Sequence, residues 1–533
     1  MQKYNYASLD YLQVVKKLID NVIWTTLDER YSEPGQANPL VESSDWFCRL
    51  LKPNTYSISD TGYTFHKPAM VELLKKYTPA TELPYPEALL AIKNQKTKQI
   101  ILQLNLHSQR HNPKAIKTGF FDKLFKKHPE LIVNMKKGRL TMLLYFGWEA
   151  DNFTNNTNHT PSHRNTYYEM FDNVRSKYDL PPKSIIVLSS NKKGYKQEQE
   201  FYGEDLKLGN YTRVIYENAY EINSFQEKNK WNPSYTFDEY IANIEKKESK
   251  RLLRINRTQL QSRDFMLYWL ENTKYIEDSI VEYELGNEEN ENILFHKTEA
   301  QGIEYPGPET IDYHELKYKI RNYFKISTEL SYNHLLPFLK FDKKIVGKIK
   351  QTSSYVASKI EERYDYTLRN IKDWEYTNKT IPVDVYRNSI FSWVSTSLAD
   401  RKDQVFINMS TFNPVLHYHP LVFYSNPSHN KYFVESGYKP YDWFTETEKV
   451  DKTLNINQKM VLSLYEIDRL MNIPKDSLIG IIKDNRSLLE HNRNFLFECR
   501  SIENILKKLY VIMYAENMNS DGIFTDLKDT KLI

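Results

Sequence analysis

Two cysteines among 533 residues, Cys48 and Cys499, are too few for a disulfide framework, and no Cys-x-x-Cys pair offers a metal knuckle. Glycine is also scarce, at 15 residues, which argues against an all-β chain of tight turns and against a collagen-like one. Charge of one sign is missing too: 73 basic against 69 acidic side chains leave +4, too little to argue for nucleic acid or membrane from charge alone. No apolar run approaches the roughly 20 residues that span a bilayer; the longest, such as Leu509–Ala515, are the size of core segments. The first residues, MQKYNYASLDYLQVVKKLID, carry charges throughout and no apolar stretch, so the expectation is a protein not secreted by a signal peptide. Sequons at Asn152, Asn210 and Asn408 then reflect an asparagine-rich composition. Several chemistries lack their signatures: there is no GxxxxGK[ST], no GxGxxG after a strand, no GxSxG, no HExxH and no EF-hand loop.

What is present is ordinary for a chain that buries real cores: 40% apolar, 27% charged and 14% aromatic residues, with 40 tyrosines. The length suits roughly three domains. Residues 1–95 read as an appended N-terminal domain, with helical spacing over Leu9–Ile23 and a boundary at Pro79, Pro84 and Pro86. Residues 96–235 alternate buried strands (Lys98–Leu106, Leu140–Phe146, Ser184–Leu188) with helices (Phe120–Met135, Tyr167–Tyr178), the pattern of a parallel sheet covered on both faces. A second α/β domain is expected from 236–285 and 385–480, with strands at Arg251–Ile255, Ser389–Val394, Gln404–Ile407 and Pro420–Tyr424 and a helix at Met409–Leu416. Residues 286–384 read as a mostly helical insertion, and 481–533 as C-terminal helices.

Three constellations could carry chemistry. The pairs His107/His111, His159/His163 and His417/His419 fall short of a zinc ligand set, and Pro161 keeps the second pair off one helix face, so these are loop or core histidines and no metal is expected. Asn256-Arg257-Thr258-Gln259-Leu260-Gln261-Ser262-Arg263 follows a strand and precedes a helix. Two guanidinium groups there can reach one anion, although a solvated basic loop has the same sequence. Glu149 and Asp151 follow the strand Leu140–Phe146, at the edge where α/β sheets present ligands; one could serve as general base, or both could be a solvated loop pair.

The stretch Asn408-Met409-Ser410-Thr411-Phe412-Asn413-Pro414-Val415, then His419-Pro420-Leu421-Val422, Asn426-Pro427 and Gly437-Tyr438-Lys439-Pro440-Tyr441-Asp442-Trp443, resembles a set of phage and giant-virus glycosyltransferase-like proteins of GT-B type. Asn256, Arg257 and Arg263 match that family's N-R-x-x-R-x-H-R loop, and Pro181–Asn191 matches its Pro-Pro block, in the same order. The resemblance covers roughly 96–285 and 385–480. It implies two Rossmann-like domains facing across a cleft, a nucleotide-sugar donor as substrate, and no cofactor beyond it. It implies diphosphate binding by Asn256, Arg257 and Arg263, a donor-site loop at Ser410, Thr411 and Asn413, and catalysis on the acceptor side by Glu149 and Asp151. The acceptor is unknown, with a phage DNA base or a glycan as candidates, and the setting would be the host cytoplasm or the virion, with no membrane partner.

The departures fall in the donor loop. The family's Glu and Lys positions are Met409, Ser410 and Asn413 here, its V-x-E-T stretch reads Val394-Ser395-Thr396-Ser397, and the middle Arg and His of its basic loop are Leu260 and Ser262. Losing one donor to a developing anion costs about 10²–10³ in rate. The second expectation is therefore a catalytically inactive GT-B-shaped protein with a structural or interaction role among virion proteins.

Overall fold

The computed structural model describes residues 10–26, 81–83, 85–94, 99–105, 120–146, 167–203, 211–217, 235–256, 275–283, 383–396, 409–452, 456–497 and 500–514, with a few single positions between 266 and 273 and between 404 and 407. The chain divides into two compact units, Met1–Gln226 with Phe497–Ile533, and Glu227–Leu496.

The first unit opens with α1 (Tyr11–Asn21) and β1 (Val22–Thr26), followed by β2 (Thr81–Glu82), α2 (Tyr85–Asn94) and β3 (Gln99–Asn105). Then come α3 (Phe120–Lys127), α4 (Pro129–Lys136), β4 (Leu140–Phe146), α5 (Tyr167–Tyr178), β5 (Ile185–Ser189), α6 (Gly194–Tyr202) and β6 (Arg213–Tyr216). The six strands form one sheet in the order β2-β1-β3-β4-β5-β6. Every pairing is parallel. Near-continuous apolar runs such as IIVLS suit strands covered on both faces, and β5 is buried at all five positions. Ile100, Leu102 and Leu104 join Leu140, Met142, Leu144, Ile185 and Val187 in one core, against Phe121, Leu124 and Phe125 of α3 and Phe171 of α5.

Two expectations are corrected here. The first helix stops at Asn21, whose Nδ2 donates to the Lys17 carbonyl at 2.8 Å, because the β-branched and aromatic run VIWTT that follows prefers a strand. That strand pairs on one side with β2 and on the other with β3, so β1 and β2, which fall within the expected appended domain over 1–95, are strands of the main sheet. The helix expected over Phe120–Met135 is two helices. Pro129 opens the second at a first-turn position, behind His128, whose backbone (φ −125°, ψ 68°) has left the helical region.

The second unit contains α7 (Phe237–Ile244), β7 (Lys250–Asn256), β8 (Ser279–Tyr283), α8 (Val383–Arg387), β9 (Ser389–Ser395), α9 (Met409–Leu416) and β10 (Leu421–Tyr424). It closes with α10 (His429–Glu435), α11 (Thr447–Lys452), α12 (Ile456–Asn472), α13 (Lys475–Asp484) and α14 (Arg486–Phe497). Thr236 starts α7 with a capping box, its hydroxyl accepting from the Glu239 N–H while Glu239 accepts from the Thr236 N–H. Four parallel strands run in the order β10-β9-β7-β8. The described positions Gln404, Val405 and Ile407, expected as a strand, carry no regular structure.

A last helix, α15 (Arg500–Tyr514), belongs to the first unit, whereas α13 and α14 belong to the second. The expected helical tail over 481–533 is thus divided between the units. Most of the expected insertion, 286–382, lies outside the described residues.

Candidate functional site

The strand order defines where each unit can present a ligand. In the second unit the chain steps from β7 to β8 on one side, then places β9 and β10 on the other. The carboxyl ends of β7 and β9 flank that reversal, and crevices outside such ends are where open parallel sheets bind ligands. β7 ends at Asn256 and β9 at Ser395; their last paired residues are Arg254 and Trp393. Asn256 therefore stands at the reversal, and Arg257 follows it in the chain. Arg257 and Arg263 themselves lie outside the described residues, as do Glu149 and Asp151, which follow the carboxyl end of β4 at Phe146.

Ser410, Thr411 and Asn413 occupy the first two turns of α9, the helix reached after β9. Ser410 is half-buried, whereas Thr411 and Asn413 are buried. Thr411 sits against His429 of α10, with its Oγ1 3.4 Å from the ring Nε2. Sequence reasoning missed His429. It follows the turn Ser425-Asn426-Pro427-Ser428 at the carboxyl end of β10, where Ser428 takes a left-handed conformation (φ 72°). The signal available was that Ser-Asn-Pro turn, which places a polar helix start at the ligand-presenting edge. The imidazole is fully enclosed; burial, with Lys459 nearby, pushes its pKa down to about 3, so the ring is neutral.

Charge at this edge is committed inward. Asp451 of α11 takes the N-terminal amides of α10, accepting from Asn430 N at 3.0 Å and Lys431 N at 3.2 Å. The buried Lys459 of α12 donates to the Ser425 carbonyl at 2.6 Å. Thr396, just past β9, donates its backbone N–H to the Tyr424 carbonyl at 3.0 Å, which ties the ends of β9 and β10 together.

His417 and His419 are core side chains. His419 Nε2 donates to the Tyr386 carbonyl at 2.8 Å, which leaves Nδ1 to accept from Ser392 Oγ at 2.7 Å. His417 stacks on Tyr386 with centroids 4.1 Å apart, and its Nδ1 lies 2.7 Å from Tyr235 Oη. Burial lowers both pKa values, that of His419 to about 4. The pairs His107/His111 and His159/His163 lie outside the described residues. Among the described residues no group of three or more His, Cys, Asp or Glu side chains stands close enough to hold a metal ion.

In the first unit the carboxyl ends of β5 and β6 carry a buried ion cluster. Glu217 pairs with Lys192 at 2.7 Å and with Lys508 of α15 at 2.5 Å. Burial alone would raise its pKa, but the two ammonium groups overcome that and hold it at about 2. Glu198 of α6 behaves oppositely: burial lifts it to about 8, against the opposing pull of Arg213 and Lys508. Gly194, which opens α6, packs so close to the Tyr216 ring that a Cβ would lie 2.1 Å from it.

The described residues thus define an α/β protein with two parallel-sheet units, each reversing its strand order. No protein-family model matches the chain, and no curated protein matches it. A solved structure described as "Trehalose-6-phosphate from E. coli bound with UDP-2-fluoro glucose" is similar over 93% of this chain and 95% of that chain, at 10% identity and a TM-score of 0.33. At that distance the fold rests on the strand order itself. No described helix is long and apolar enough to cross a membrane.

Proposed function

We propose that the protein is a glycosyltransferase-like protein of GT-B type that binds a nucleotide-sugar donor on its second unit and transfers the sugar to an acceptor held by the first. The reading is carried by one observation: the reversal of strand order in the second sheet sets the end of β7, with Asn256, beside the end of β9, with α9 and its Ser410-Thr411 turn beyond. The three ordered motif blocks support it. Arg257 and Arg263 would neutralise the diphosphate as the bond to the sugar breaks, aided by the first-turn amides of α9, and Glu149 or Asp151 would take the proton of the acceptor hydroxyl. The acceptor would be a glycan or a DNA base.

A second reading is favoured by the neutral character of the donor segment. Ser410 and Asn413 stand where the resembling family has charged residues, and the charged groups described nearby are committed to the fold. On this reading the protein keeps the fold and binds without transferring, as a structural or interaction component. Calorimetry with UDP, GDP and their sugar conjugates tests the common ground. Each arginine lost from a charged hydrogen bond costs about 1.5–3 kcal/mol, so Arg257→Ala with Arg263→Ala should weaken binding by about a hundredfold or more. Binding with slow hydrolysis or transfer of the sugar supports the first reading; binding with neither supports the second. Absence of binding to every nucleotide and conjugate rejects the donor site.

A further inference from the structure

Among the described residues four large apolar side chains are exposed, and the two most exposed, Leu90 at 59% and Val133 at 49%, stand on neighbouring helices of the first unit. α2 returns the chain to β3 and α4 returns it to β4, so both run against the parallel strands and parallel to each other. Their starts are level. Tyr85 Oη of α2 donates to Glu130 Oε1 of α4 at 3.1 Å, and the Tyr85 ring meets that of His128 at 5.6 Å. At about 1.5 Å of rise per residue, Leu90 lies about 7.5 Å beyond Tyr85 and Val133 about 4.5 Å beyond Glu130, within one turn of each other along the face. Tyr85, Ala88, Leu131 and Met135 of the same helices turn inward to the core.

Beyond this apolar pair both helices end in lysine. Lys93 follows Leu90 by three residues, Lys136 and Lys137 follow Val133 by three and four, and all are exposed. α3, packed on α4, adds exposed Lys123 and Lys126. Lys136 reaches Asp179 at 3.2 Å, whereas Lys93, Lys123, Lys126 and Lys137 have no ion partner among the described residues. The acidic Glu87 and Glu130 sit in the first turns, at the other end of the face. The near-balance of the whole chain, +4, conceals this local excess. Lysines at helix ends by themselves answer the helix dipole. A row of lysines beside a row of bare apolar side chains is a different surface. Nucleic acid would take the lysines and leave Leu90 and Val133 in water. A bilayer containing acidic lipids takes both: the ammonium groups meet lipid phosphates while the apolar groups enter the boundary between headgroups and chains.

We propose that the outer face of α2 and α4 docks on an acidic membrane surface, with Leu90 and Val133 entering the headgroup boundary and Lys93, Lys136 and Lys137 meeting lipid phosphates. The face holds no residue of the donor site, so the proposal stands apart from the nucleotide-sugar reading. Vesicle flotation of the full chain tests it. The protein should bind vesicles of phosphatidylcholine and phosphatidylglycerol in equal amounts but not phosphatidylcholine alone, and binding should weaken as salt rises. Each ammonium brought to an acidic surface strengthens binding about fivefold, so Lys93→Glu with Lys137→Glu should weaken it by at least about twentyfold. Leu90→Gln with Val133→Gln removes the apolar part and keeps the charge. That pair should weaken vesicle binding about tenfold and leave any binding of duplex DNA unchanged. All four side chains are exposed, so the variants should melt with the parent protein. No binding to the mixed vesicles, equal binding to both kinds, or binding that survives the lysine substitutions overturns the proposal. Duplex DNA bound as tightly as the mixed vesicles, with vesicle binding insensitive to the glutamine pair, overturns it in favour of a nucleic-acid face.

Discussion

His419 and His429 show what burial does to a titratable group in this protein. Each has its pKa pushed down, to about 4 and about 3, because the charged ring would lose its hydration. A histidine depressed in the folded state and near 6.5 in the unfolded chain takes up its proton first on unfolding. The stability it contributes is therefore whole above pH 6.5 and is lost as pH falls toward the folded values. Glu198 has the opposite consequence. A carboxyl raised to about 8 is protonated in the fold but ionises near 4.5 once unfolded, so its contribution is whole below pH 4.5 and is lost as pH rises through 8. Chemical denaturation of the second unit, followed by fluorescence of a site-specific label there, should show a midpoint that falls between pH 6.5 and 4. Glu198→Gln should flatten the decline of first-unit stability between pH 5 and 8; an unchanged slope would show that the carboxyl is ionised in the fold.

At the scale of the element, much was legible and the misses have identifiable causes. Buried parallel strands announce themselves as apolar runs. Leu140–Phe146 matched its expectation at both ends, and β3, β5, β7, β9 and β10 lie within about a residue of theirs. The break at Pro129 was written in the chain, but a continuous apolar period across α3 and α4 masked it. The place of β1 was not legible, because a strand's neighbours are chosen by long-range pairing that no local pattern records. The same holds for the site. Asn256, Thr396 and the α9 residues could be singled out from motifs, whereas His429 and Asn430 become neighbours of that edge only when β9 and β10 pair. Gly437 tests the element account. It ends α10 at φ +111°, donating its N–H to the Val434 carbonyl at 2.9 Å, and a Cβ there would lie 2.2 Å from the Phe495 ring of α14. Gly437→Ala should cost more than about 1 kcal/mol by denaturant titration, through both the backbone and the displaced ring. Asp451→Ala, which uncovers two amides at the start of α10, should cost about 0.5–2 kcal/mol.

For the whole molecule, the chain leaves the first unit after residue 226 and returns to it at its end. α15 packs along α1 and β6, with Lys508 on Glu217 and the Met513 carbonyl accepting from Lys183 Nζ at 3.4 Å. Ending the chain after residue 499 should therefore destabilise the first unit, which loses a partner of a buried carboxylate, and leave the second unit's amide protection unchanged. Equal loss of protection in both units would contradict that division.

The central claim is that a nucleotide-sugar donor binds at the carboxyl edge of the second sheet. Hydrogen exchange of the full chain, with and without a saturating nucleotide-sugar, tests it most directly. The account predicts slowed exchange in peptides covering the end of β7 with the loop after it, the start of α9, and the turn from β10 into α10, with no comparable change at β5 and β6. Protection confined to the first unit, or none at saturation, would contradict it.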